Sequence, residues 1–155
     1  MTRKRIIRFA LVAGLLLAVW WTFRSYETYK IPDGDSSLQS KYMPGMTVVA
    51  RSVDDDDEIT RGMDVVYAME KDGVRYARFG RVRALAGDVV DVEDGKLTVN
   101  GEALVPPMPG QRLGTVPPGK LVILAVEPVK NRYPDSRALG FIPRSDVQGI
   151  IRFGW

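Results

Sequence analysis

Two absences set which residues of this chain can do chemistry: it has no histidine and no cysteine. They exclude a Ser-His-Asp triad, an imidazole base, a thiol nucleophile, a disulfide and a His- or Cys-ligated zinc. Acid–base work near neutral pH falls to a Lys, a carboxyl group or a Tyr with a displaced pKa. The carboxyl groups cluster, but not in catalytic patterns. Residues 54–58 read DDDDE, without the spaced acidic order of a calcium loop, so a solvated loop is expected. Asp88 with Asp91, and Glu93 with Asp94, surround a turn and read as turn and surface charge. Arg75, Arg78, Arg81 and Arg83 share one strand-like stretch, where period-2 placement sets Arg81 and Arg83 on one face and Arg78 on the other. Arg78 and Arg81 are candidate contacts for an acidic partner or lipid phosphates. No cofactor and no metal is expected.

The elements that must position such groups read as mainly β. With 155 residues the chain is one ordinary domain. Its 45% hydrophobic and 26% charged residues mark a globular composition, not a disordered one. Strands are expected over residues 47–53, 64–69, 74–85, 88–93, 96–100, 121–126 and 147–153. The Asp-Gly pairs at 72–73 and 94–95 predict hairpin turns between alternating runs. Residues 121–126 (LVILAV) are continuously apolar, as a strand buried on both faces would be. The prolines of residues 104–119 exclude a central strand there, and residues 127–146 read as irregular. Beyond residue 24 nothing has a helical period, and no internal repeat is found.

The N-terminal segment differs. No charge interrupts residues 9–23, FALVAGLLLAVWWTF. Extended back to Ile6 the run is slightly short for a bilayer core of about 30 Å, but Arg8 can snorkel towards the head groups. Trp20 and Trp21 stand at its other end as an aromatic belt would. No small-x-small site follows the apolar run, so an uncleaved anchor is expected rather than a removed signal peptide. Arg3, Lys4, Arg5 and Arg8 predict a cytoplasmic N-terminus and an exported remainder, on the bacterial inner membrane. The net charge of +3 resides in this segment, since Arg3, Lys4, Arg5, Arg8, Arg24 and Lys30 face only Glu27. The remainder is slightly acidic, so no nucleic-acid partner is expected. The expected organisation is a basic tip and transmembrane anchor (1–24), a connector loop (25–45) and an exported β domain (46–155). At the C-terminus, Phe153 and Trp155 are candidate contacts for membrane or partner.

Four stretches, in order, resemble the type I signal peptidase family of serine peptidases. Residues 81–102, RVRALAGDVVDVEDGKLTVNGE, resemble its Lys-Arg-Val-x-Gly-x-Pro-Gly-Asp motif with the strand, Asp-Gly turn and Val-Asn-Gly-Glu that follow. Met43-Pro44-Gly45 with TVVA resembles the segment after its nucleophile box. Arg61-Gly62-Met63-Asp64-Val65-Val66-Tyr67 resembles its Arg-Gly-Asp-Val-Val strand, and residues 135–143, DSRALGFIP, its Asp-Ser-Arg ending. The resemblance implies a small signal-peptidase-like β-sandwich or barrel domain behind a single transmembrane helix. It also implies a Ser nucleophile activated by a neutral Lys, a pairing that suits a chain without histidine.

The catalytic side of the resemblance is incomplete. Counted back from Pro44-Gly45, the nucleophile position is Ser37; counted forward from Ile31-Pro32, it is Asp35. Counted back from Gly87-Asp88, the base position is Gly80, which carries no base. Arg78 and Arg81 cannot substitute, because a guanidinium stays charged. The family's Gly-Asp-Asn run falls on Glu127-Pro128-Val129, and the Pro of Pro-Gly-Asp is Ala86. The expectation is a non-catalytic, signal-peptidase-like protein that serves as a structural or accessory subunit among other integral membrane proteins. The alternative is an active serine endopeptidase using Ser37 and a relocated base, Lys41 or Lys71.

Overall fold

The computed structural model describes residues 3–127 and 133–155; within its first helix the described side chains are those of residues 7–20, 23 and 24. Helix α1 (Arg3–Arg24) carries the apolar run. Among the described residues no helix is long and apolar enough to cross a membrane. A helix is present over Arg3–Arg24, where the anchor is expected. The Trp21 side chain lies outside the described residues, as do Pro128 and Val129.

The chain after α1 is mainly β, in two antiparallel sheets. The strands are β1 (Tyr26–Lys30), β2 (Thr47–Ser52), β3 (Asp64–Lys71), β4 (Val74–Ala84), β5 (Val89–Glu93), β6 (Lys96–Val99), β7 (Glu102–Ala103), β8 (Gly114–Thr115), β9 (Lys120–Leu124), β10 (Ile142–Pro143) and β11 (Val147–Gly154). A short helix α2 (Ser136–Leu139) precedes β10. The large sheet runs β1-β2-β11-β3-β4-β9-β10, and the small one β7-β6-β5-β8. All seven strands expected from the sequence are found, with ends displaced by a residue or two.

Two tight turns set the registers as the Asp-Gly pairs predict. Asp72 and Gly73 have φ of 54° and 74°, and Asp94 and Gly95 have 49° and 75°. Two consecutive positive φ values give the turn whose twist matches the flanking strands, and glycine adopts them without a Cβ clash. The first turn joins β3 to β4 in continuous pairing from Lys71↔Val74 to Asp64↔Arg81.

Three apolar clusters hold the sheets. β9 is buried on both faces, as its unbroken apolar run predicts. Leu121 and Ile123 join one cluster with Val65, Tyr67 and Val82. Val122 and Leu124 face another, which packs the small sheet through Val90, Leu97 and Val99. The third cluster forms around Val48, Ala50, Val66 and Phe79 and is completed by Ile31, Leu38 and Tyr42.

That third cluster corrects the reading of residues 25–45 as a connector. Tyr26–Lys30 is a strand paired along its whole length with β2. Beyond it, Ile31, Leu38 and Tyr42 are almost wholly buried. Short polar stretches punctuated by Pro and Gly hid three core residues spaced too widely for either regular period.

Candidate functional site

The segment holding the two nucleophile candidates is a run of tight turns. The Asp35 N–H donates to the Pro32 carbonyl at 3.0 Å, and the Tyr42 N–H to the Leu38 carbonyl at 2.7 Å. Asp35 is wholly buried, and its Oδ1 accepts the Ser37 N–H at 2.9 Å. The Ser37 carbonyl accepts the Val126 N–H at 2.6 Å, tying this turn to the chain just past β9. Ser37 itself is 2% exposed. A serine in that position is held by its backbone and closed off from solvent.

Gly80, at the base position, lies in the middle of the large sheet, paired with Val65 of β3. A Cβ added to it would stand 2.6 Å from Ile123 Cγ2 and 3.2 Å from the Leu124 carbonyl oxygen. Both contacts are short for carbon, and Cγ2 sits on the stiff branched carbon of an isoleucine. The position thus offers neither a base nor room for a side chain that could supply one. Alternation along β4 puts Gly80 on the face of Arg78 and Val82. Phe79, on the opposite face, packs with Leu38, the residue after Ser37. Tyr67, paired with Arg78, is buried, and its phenol is raised by that burial and then by the charges of Asp135 and Asp35.

The structure places the two lysines offered as relocated bases in different surroundings. Lys41 Nζ lies 3.8 Å from Asp64 Oδ2 and 4.9 Å from the centre of the Tyr42 ring. Contact with the Tyr42 phenol, and beyond it the Asp64 charge, raises the Lys41 pKa against the opposing effect of burial. A general base needs the reverse, an ammonium destabilised enough to lose its proton. Lys71 closes β3 beside Val74, six strand positions from Gly80, or roughly 20 Å at ~3.4 Å per residue.

Residues 3–155 match the family model described as signal peptidase, peptidase S26. The chain belongs to the peptidase S26 family. It is similar to the crystal structure of a signal peptidase I from Enterococcus faecalis V583, at 22% identity and a TM-score of 0.45. That match covers 62% of this chain and 98% of the other. No curated protein matches.

In this family member the remaining charged candidates are mostly occupied within the fold. Arg81 makes two bonds to the buried Asp64 carboxylate, at 2.7 and 3.2 Å. Arg83 donates to the Val105 carbonyl at 3.2 Å. Arg78 lies over the Tyr133 ring at 4.5 Å and near Tyr76 at 5.3 Å. The acidic loop is pinned: Arg51 holds Asp57 through bonds of 2.7 and 3.0 Å. Among the described residues no cluster of acidic side chains could hold a metal ion.

Asp88 overturns its reading as surface charge. It is 8% exposed and bonds Arg61, the Leu85 N–H at 2.7 Å and the Asn100 amide at 3.0 Å. Burial disfavours its charge, but Arg61, then the Leu85 N–H and the Asn100 amide, outweigh that and hold its pKa below the usual carboxylate range. Asp135 is a second buried carboxylate missed as a structural device. It caps α2, takes the Ala125 N–H at 3.0 Å and grips Arg137. Its place in the Asp-Ser-Arg stretch, with Arg two residues on, was the available signal.

Proposed function

We propose that this protein is a non-catalytic member of the signal peptidase family, anchored by α1 in the bacterial inner membrane. Its β domain lies on the extracytoplasmic side and serves as a structural or accessory subunit of a larger membrane protein complex. One observation carries the non-catalytic reading: the base position is a glycine whose side-chain space is filled by Ile123. The buried Ser37 and the protonated Lys41 support it.

The anchor reading rests on apolar side chains around the whole circumference of α1. Leu11, Val12, Leu15, Leu16 and Leu17 are spread around the helix and all more than half exposed. A helix apolar on every face belongs in a protein core or in lipid, and these residues pack against no core cluster. The basic residues before it set the N-terminus in the cytoplasm. The partner is another integral membrane protein.

Gentle detergent extraction, followed by native electrophoresis and mass spectrometry, tests the subunit reading. Co-migration at fixed stoichiometry with a large membrane assembly is the expected result. A free particle of one chain and its detergent micelle would contradict it.

A further inference from the structure

Beside the loop that leads into β3, the two sheets leave a cavity of about 220 Å³. Val82, Val99 and Leu104 border it, and Arg61, Arg83 and Glu102 supply its charges. Arg83 owes its place there to an irregularity of β4. Val82 pairs with Ile123 and Ala84 with Val122, so two steps along β4 match one along β9. Arg83 is the extra residue of a β-bulge, a device that re-aims a side chain out of the regular alternation. Arg81, two residues earlier, keeps its pairing with Leu124, and its guanidinium binds Asp64.

The two arginines of the cavity differ in what they hold. Arg61 is matched by the buried Asp88 carboxylate, which accepts its Nε–H at 2.9 Å. Arg83 has no carboxylate partner among the described residues. Its acceptor is the Val105 carbonyl, at 3.2 Å, and its Nε is buried without a partner. Burial, and after it the neighbouring charge of Arg81, lower its pKa against the opposing effect of Asp64. A half-buried guanidinium held by one neutral oxygen is incompletely satisfied, and a hydrogen bond to an ionised acceptor is about twice as strong as a neutral one. Glu102 lines the same cavity, but it is exposed and forms no ion pair among the described residues.

The backbone beside Arg83 supplies a second feature. β7 is the outermost strand of the small sheet and pairs only with β6. Residues 102–105 line the cavity as one continuous stretch, which ends at the carbonyl that Arg83 holds. We propose that this cavity takes the C-terminal carboxylate of a protein partner whose last residue is apolar. The carboxylate meets Arg83, the last side chain meets Val82, Val99 and Leu104, and the preceding backbone runs along the free side of β7. Sheet edges recognise extended chains in this way, and terminal carboxylates are captured at such sites. The size suits one chain end, because 220 Å³ falls below the roughly 300–1,000 Å³ of sites for drug-sized ligands and cofactors. A single negative charge suits it better than a phosphate, because Glu102 stands at the same cavity. The inference goes beyond the subunit reading and involves neither Ser37 nor Gly80.

The test is fluorescence anisotropy on the full chain in detergent micelles. The probes are fluorescein-labelled hexapeptides ending in valine or leucine, each as the free acid and as the amide. The free acids should bind saturably and the amides about tenfold more weakly, the loss expected for a charged hydrogen bond. Arg83→Gln should weaken the free acids by a similar factor and leave the amides unchanged. Glu102→Gln should tighten the free acids by about threefold, because it removes a like charge beside the carboxylate. Circular dichroism melts check that both variants keep the parent's fold. If Arg83→Gln does not fold, the comparison of acid with amide on the parent chain decides. Equal binding of acid and amide, or no saturable binding of either, overturns the proposal. Displacement of the labelled peptide by isovalerate or inorganic phosphate as readily as by unlabelled peptide also overturns it, by showing a site for a small anion alone. Neither result touches the subunit reading, which stands or falls on co-migration with a membrane assembly.

Discussion

At the residue scale the decisive position is Gly80, where chemistry and packing coincide. The absence of a base there was legible in the sequence, because Gly87-Asp88 fixes the count. That the space is filled was not, since Ile123 lies more than forty residues further along the chain. Gly80→Ala should destabilise the fold by about 1–3 kcal/mol, as overpacking does. Ile123→Ala removes the obstructing carbon, so the double variant should be less destabilised than the two singles added together, by about 1 kcal/mol. Denaturant titrations of the four proteins measure this coupling, and simple additivity would show that the contact is relieved in some other way. Asp88 makes a second residue-scale case. Its pKa is depressed in the fold, so its stabilising effect is complete above the unfolded carboxylate value of about 3.9. It is lost as pH falls from there through the folded value. Asp88→Asn should cost about 1–3 kcal/mol at neutral pH, with half-exposed Arg61 limiting the loss. The variant should also flatten the acid limb of the pH–stability curve, and an unchanged limb would show that Asp88 does not set it.

At the element scale, strands with strong β-branched runs and Asp-Gly turns were readable, because hairpin pairing is local and its turn residues are chemically distinctive. Gly95 illustrates the point, with a φ of 75°. Gly95→Ala should cost about 1 kcal/mol in thermal unfolding, while Gly95→Asn, whose side chain tolerates that conformation, should cost less. A neutral alanine would mean that the β5–β6 turn rearranges. β1 was missed because YETYK is polar and exposed along most of its length, so it carries little apolar signal. Its pairing is fixed by a distant strand, β2, and by the helix that precedes it. The two-residue strands β7, β8 and β10 fall below any periodic signal, and α2 exists through the Asp135 cap rather than through its own four residues.

At the scale of the whole molecule, the family was legible because its motifs fall in turns and strand starts, where backbone geometry restricts residue choice. The site was only half legible. The sequence left the nucleophile position open between Ser37 and Asp35, because insertions in loops do not announce where they occur. The fold buries both. On the function proposed above, the packed base position suits contact rather than turnover. The most direct test is cleavage of a preprotein bearing a signal peptide by the purified full chain in lipid vesicles, wild type beside Ser37→Ala. Both should be indistinguishable from protein-free vesicles. Turnover by the wild type that disappears in Ser37→Ala would contradict it and establish an active serine peptidase with an unconventional base.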